Sequence, residues 1–251
     1  MPSTNPFPWT IVPGLAADLL LGRRRSLRAD AQRSIAQLRP RLQVLGVEFI
    51  PQGGPCLITI NHYTRLGLPA WWLVLAASAC VPAEIHWIMT SAWTFPDALR
   101  HRLVTPVTRL LFRRMAHVYG FTSMPPMPPA SQDIEERARA VRQVLAYARR
   151  AEYPVIGLAP EGRDAPHEQP GVLIEPPPGA GRFVLQLARL GLPISPVGVY
   201  EEAGNLCIRF GELYELEIPQ GKNSEQRDWL ASQAVMLRIA ALLPPELHGN
   251  Y

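Results

Sequence analysis

Short apolar runs, set apart by longer helical patterns, constrain this chain most. Cys56–Ile60, Ile85–Met89, Pro154–Leu158, Pro193–Tyr200 and Leu206–Phe210 are too short for core helices and read as buried strands. A further strand is expected over 42–49, with Gln52-Gly53-Gly54-Pro55 as the turn into 56–60. Residues 97–115, 132–150, 179–190 and 224–243 read as helices, with a short strand near 116–119. Segment 132–150 is the clearest. Ile134, Ala138, Val141, Leu145 and Ala148 recur at steps of four and three. Asp133, Glu135 and Glu136 open the segment and Arg149 and Arg150 close it, as the helix dipole favours. Strands alternating with helices predict an α/β fold with a mixed, largely parallel sheet flanked by helices.

Length and composition fit one compact domain. The chain has 251 residues, 47% of them hydrophobic and 18% charged, which excludes a disordered protein. We divide it into an N-terminal amphipathic, basic segment over 1–40 and a domain over 41–251. The formal charge is modest, 25 − 21 = +4, and no nucleic-acid partner is expected. Lys222 is the sole lysine, so arginine supplies the other cations. That bias fits phosphate or carboxylate recognition, and equally a preference for arginine codons. Cys56, Cys80 and Cys207 are scattered in apolar stretches, which suits a reducing compartment, and no metal-ligand spacing is present. The stretch Leu66–Ala83 carries no charge over 18 residues, but Pro69 and Pro82 bracket it, and a buried helix is expected. Residues 6–28 join Phe7, Trp9, Ile11, Val12 and several leucines to Arg23, Arg24, Arg25 and Arg28. This order is the reverse of a signal peptide. It fits either a helix lying in a membrane interface or a helix packed on the domain.

Three strand ends carry polar residues that a core does not need. The first is Asn61-His62-Tyr63-Thr64-Arg65 after 56–60. The second is Ala159-Pro160-Glu161-Gly162-Arg163-Asp164, opening a loop over 159–178 with six prolines. The third is the strand Pro193-Ile194-Ser195-Pro196-Val197. A histidine at the carboxyl end of a buried strand sits where open α/β sheets place their chemistry.

The order and separation of these segments resemble the glycerolipid acyltransferase superfamily, of the lysophosphatidic acid acyltransferase type. Asn61-His62 is similar to the start of the family's Asn-His-x4-Asp motif, and Pro160-Glu161-Gly162-Arg163 to its Pro-Glu-Gly-Thr-Arg motif. Gly179-Ala180-Gly181-Arg182 resembles the basic-Gly-Ala segment, and Pro193–Val197 the closing Pro-Ile-x-Pro-Val strand. The resemblance covers roughly 40–251 and implies a glycerol-3-phosphate acyltransferase-like fold. It implies transfer of a fatty acyl group from acyl-CoA or acyl-carrier protein to a hydroxyl of a lysophospholipid or glycerol phosphate, without a bound cofactor. His62 is then the general base, since an alcohol attacks well only as its proton is taken. Thr64, Arg65, Glu161, Gly162, Arg163 and Arg182 are the candidate substrate-binding residues, with Glu161 orienting Arg163 or an acceptor hydroxyl. The resemblance further implies a peripheral or monotopic protein on the cytoplasmic side of a membrane.

Two positions depart from the family pattern. Gly67 stands where the family has its aspartate, five residues after the histidine. Asp97, Asp164 or a backbone carbonyl are the candidates for that role; failing all of them, the chain is a weak or inactive lipid- or acyl-binding homologue. The family's middle motif ends in a phosphate-binding arginine, whereas Met115–Phe121 has none; Arg113 and Arg114 just before it are candidate substitutes.

Overall fold

A computed structural model describes residues 9–65, 68–95, 97–127, 131–166, 168–217 and 222–251. Among these, the strands are β1 (Gln43–Leu45), β2 (Cys56–Ile60), β3 (His86–Thr90), β4 (Thr122–Met124), β5 (Val155–Leu158), β6 (Ile194–Glu202) and β7 (Asn205–Phe210). The helices are α1 (Val12–Leu21), α2 (Leu27–Ile35), α3 (Trp71–Cys80), α4 (Ala98–Tyr119), α5 (Ile134–Arg150), α6 (Ala180–Ala188) and α7 (Ser224–Ala240). The strands form one sheet in the order β1-β7-β6-β2-β5-β3-β4. Only β6 and β7 run antiparallel. The fold is therefore the mixed, largely parallel α/β sheet that the alternating pattern predicts.

Strand β2 shows how the two layers of helices are held. All five of its residues are buried. Side chains alternate across a strand, so Cys56, Ile58 and Ile60 join Leu27 and Ala31 of α2 and Trp72, Leu73 and Ala76 of α3 in one core. Leu57 points the other way, into a core with Val144 of α5, Val184 and Leu187 of α6, and Val235, Met236 and Ile239 of α7. The charge-free run thus forms a buried helix, α3, and no helix among the described residues is long and apolar enough to cross a membrane.

Two expected elements differ. The strand expected over 42–49 is only Gln43–Leu45. Gly46 takes φ 65° and turns the chain into a 3₁₀ turn at Val47–Phe49; a Cβ there would lie 2.1 Å from the Phe210 carbonyl oxygen. The strand expected near 116–119 is instead the last turn of α4. Phe112, Ala116 and Tyr119 continue the helical spacing, and Gly120 ends the helix. The strand follows at Thr122–Met124.

Helix ends are fixed by side chains. Asp97 accepts the Arg100 N–H at 2.8 Å and opens α4. Asn223 and Gln226 form a reciprocal capping box on α7. Asp228 on α7 accepts the Gly179 and Arg182 N–H groups at 2.6 and 2.8 Å, so one helix caps the other.

The β6–β7 hairpin closes through Ala203 and Gly204, with φ of 48° and 81°. Two successive positive φ values suit a type I′ turn, which strands with right-handed twist prefer. Alanine pays roughly 1–2 kcal/mol for that conformation. Ala203→Asn is expected to raise the unfolding free energy by about 0.5–1 kcal/mol, because asparagine tolerates it better. Denaturant melts would expose the error if the variant were no more stable than the parent.

Candidate active site

Register builds the site. Strands β2 and β5 pair in parallel with Cys56 opposite Val155 and Thr59 opposite Leu158. Extended past both strand ends, the same offset sets His62 opposite Glu161. The Glu161 carboxylate, 1% exposed, accepts the backbone N–H of His62 and that of Ile174, the latter at 3.2 Å. On the other flank, the Asn61 side chain continues the ladder to β6. Its Nδ2 donates to the Val199 carbonyl at 2.8 Å, and its Oδ1 accepts the Val199 N–H at 2.7 Å. Residues 61 and 62 are therefore clamped from both neighbouring strands, and the imidazole leaves the sheet from a fixed backbone.

In this structure Glu161 braces the His62 backbone, and no bond joins it to Arg163 among the described residues. Burial pushes its pKa up to about 7, against the two N–H donors and the nearby His62, which lower it. A carboxylate two residues from an arginine suggests an ion pair, but the strand ends bring backbone donors closer. Gly162 turns the chain with φ 64°, and its N–H donates to the Ala159 carbonyl at 3.2 Å. That tight turn puts Arg163 and Asp164 on the surface.

Asp164 Oδ1 lies 3.0 Å from His62 Nδ1. The nitrogen is buried and the carboxylate is off the line of a good hydrogen bond, so this is a charge contact. The imidazole keeps 25% of its side-chain surface. The surface that the side chain keeps therefore lies away from Nδ1. Burial alone would lower the imidazole pKa. The Asp164 carboxylate, by contact and by charge, and then Glu161 outweigh it, and the net shift is upward.

The other candidate residues are placed differently. Arg163 is exposed and has no hydrogen bond or ion pair among the described residues, which leaves its guanidinium available to an anion. Thr64 is half-buried beside His62. Arg65 is held in a two-pronged ion pair by Glu201, near the end of β6, with the Tyr63 hydroxyl 3.5 Å from the same carboxylate. Arg182 Nη1 donates to Ser224 at 3.2 Å, so its side chain faces α7. Arg114 Nη1 donates to the Leu19 and Leu20 carbonyls and ties α1 to α4. Asp97 is the cap of α4, paired with Arg100. Gly67 lies outside the described residues. Sequence reasoning misses Glu201, because nothing in its local sequence links it to a residue 136 positions away.

The arrangement is a partly exposed strand-end imidazole with a carboxylate at Nδ1, and an exposed arginine on the loop that carries that carboxylate. Such a ring can take a proton from a hydroxyl as it attacks a carbonyl. Comparison with the curated proteins returns no match. Among solved structures, the 1-acyl-sn-glycerophosphate (LPA) acyltransferase PlsC from Thermotoga maritima superimposes with a TM-score of 0.52 at 15% identity, covering 84% of this chain and 76% of that one. At that identity the likeness establishes a shared fold. The family model described as Acyltransferase matches residues 41–200, which include His62, Glu161 and the strand at 193–197. That match takes in well over half of the sequence and all three motif segments, and it shows that this chain belongs to the acyltransferase family.

Proposed function

We propose that this protein transfers a fatty acyl group from a thioester, acyl-CoA or acyl-carrier protein, to a hydroxyl of a lysophospholipid or glycerol phosphate. The observation that carries the reading is the His62 ring, with Nδ1 against Asp164 and a quarter of the side-chain surface exposed. Nε2 takes the acceptor's proton as its oxygen attacks the thioester carbonyl. The tetrahedral intermediate collapses, the C–S bond breaks, and the imidazolium returns the proton to the leaving thiolate. The products are an ester and a free thiol. Arg163 supplies a cation for the acceptor phosphate, and the Thermotoga maritima neighbour, an LPA acyltransferase, fits this substrate class. Purified protein given long-chain acyl-CoA and 1-acyl-glycerophosphate should release thiol only when the acceptor is present. Release without acceptor would mean hydrolysis. No release across a panel of acceptors and acyl carriers would instead identify a non-catalytic lipid-binding homologue.

The reading includes a membrane surface, and α4 supports it. Leu99, Leu103, Val107 and Leu110 recur at steps of four, four and three, which puts them on one face, and all are exposed, Val107 by 65%. The opposite face buries Thr105, Thr108, Phe112 and Ala116. The outward leucine stripe is therefore turned to something other than the domain core. Exposed Leu20 and Leu21 lie on α1, which Arg114 and His117 tie to α4. Exposed arginines 100, 102, 109 and 113 share the helix, as suits anionic lipid. The paired variant Leu103→Glu/Val107→Glu should move from the pellet to the supernatant when spun with anionic liposomes. Full retention in the pellet would refute this surface.

A further inference from the structure

We propose that Asp164 is the positioning residue for His62, supplying from the loop after β5 the carboxylate that the family pattern carries five residues after its histidine. The proposal rests on acyl transfer by His62. In this chain position 67 is glycine, and the sequence leaves Asp97, Asp164 and a backbone carbonyl as alternatives. Geometry separates the two carboxylates. Asp97 is the cap of α4 and pairs with Arg100. Asp164 Oδ1 is 3.0 Å from Nδ1.

The placement is built in. Glu161 holds the loop to the backbone N–H of His62. Gly162, in a left-handed conformation, then reverses the chain, which brings Asp164 back over the ring three residues after the brace. The other carboxylates near the motifs are engaged elsewhere: Glu201 with Arg65 and Asp228 with the amino end of α6. A carboxylate at Nδ1 keeps the proton on that nitrogen, leaves Nε2 as the basic atom and stabilises the imidazolium that forms during attack. The off-line contact is what a site without substrate often shows, since such bonds align only when the reacting groups are bound. Asp164 remains 64% exposed, so solvent screens it and its contribution should fall below that of a buried partner.

Asp164→Asn keeps the shape of the side chain and removes the charge. We expect kcat to fall roughly 10²-fold, less than the about 10⁴-fold loss on removing a buried carboxylate partner, with KM for the acyl donor little changed. Among the described residues, the charges that face His62 are Asp164 and Glu161, with Arg65 on its own segment paired to Glu201. Loss of the Asp164 charge disfavours the imidazolium while burial persists. The His62 pKa should therefore drop, and the acid limb of kcat/KM should move down with it. Asp164→Glu should restore part of both. NMR titration of labelled His62 reads the pKa without substrate. An unchanged kcat, or an unchanged His62 titration, in Asp164→Asn overturns the proposal. A wild type that releases no thiol would sink the acyl-transfer reading instead, and the titration would still decide whether the two side chains are paired.

Discussion

Replacing His62 with alanine is expected to lower kcat/KM for acceptor-dependent thiol release by roughly 10²–10⁴-fold, the range for a positioned general base. That is about 3–5 kcal/mol of transition-state stabilisation. Stability should barely move, which makes the variant a clean test. The bond from residue 62 to Glu161 is made by the backbone N–H and survives the change. The ring itself is partly exposed, and Asp164 is already 64% exposed to water. Loss of rate with an unchanged melting temperature would support proton abstraction by His62. Activity within a few fold of the parent would rule it out as the base.

The largest effect on stability is expected at Asp30, far from the candidate base in sequence. Its carboxylate is 1% exposed and receives three donors: Arg25 through Nε and through Nη2 at 2.7 Å, and the Tyr119 hydroxyl at 2.8 Å. Arg25 also reaches Asp18 at 2.8 Å, and its own N–H bonds to the Val118 carbonyl. These contacts raise the Arg25 pKa, through Asp30 first and against the burial that opposes it. The cluster joins α1, α2 and the end of α4. Asp30→Ala would strand a largely buried guanidinium and a tyrosine hydroxyl. Breaking a buried ion pair from one side typically costs about 3–5 kcal/mol. Urea unfolding of the variant should show a drop in that range, and α1 should lose amide protection first. A loss under about 1 kcal/mol would mean that Asp18 alone can hold Arg25.

Much of the scaffold was legible in the chain because local pattern and burial agree there. The run 56–60 is apolar throughout, as a central strand covered on both faces must be, and β2 takes those limits. The helix at 132–150 shows its face, its acidic start and its basic end, and α5 spans Ile134–Arg150. Legibility failed where one residue has two readings. Met115–Tyr119 carries apolar residues at both strand and helix spacing, and the register inherited from Phe112 decides for the helix. The leucines of α4 have the spacing of a core face and are exposed. Periodicity fixes that a helix has an apolar side; what lies against that side depends on how the helix is docked.

The candidate site divides along the same line. From the sequence alone came the α/β architecture, the strand that ends in Asn61-His62, the polar strand-end segment Glu161-Gly162-Arg163, and glycine at position 67. The tertiary structure decided what those residues do to one another. Glu161 grips the His62 backbone because two parallel strands, linked by a long crossover, share one register. Asn61 bonds β6 for the same reason. Asp164, not Asp97, meets the imidazole because a left-handed turn follows the brace. Local chemistry is written in neighbouring residues, but a contact across a hundred positions depends on strand register and loop path, which no local pattern encodes.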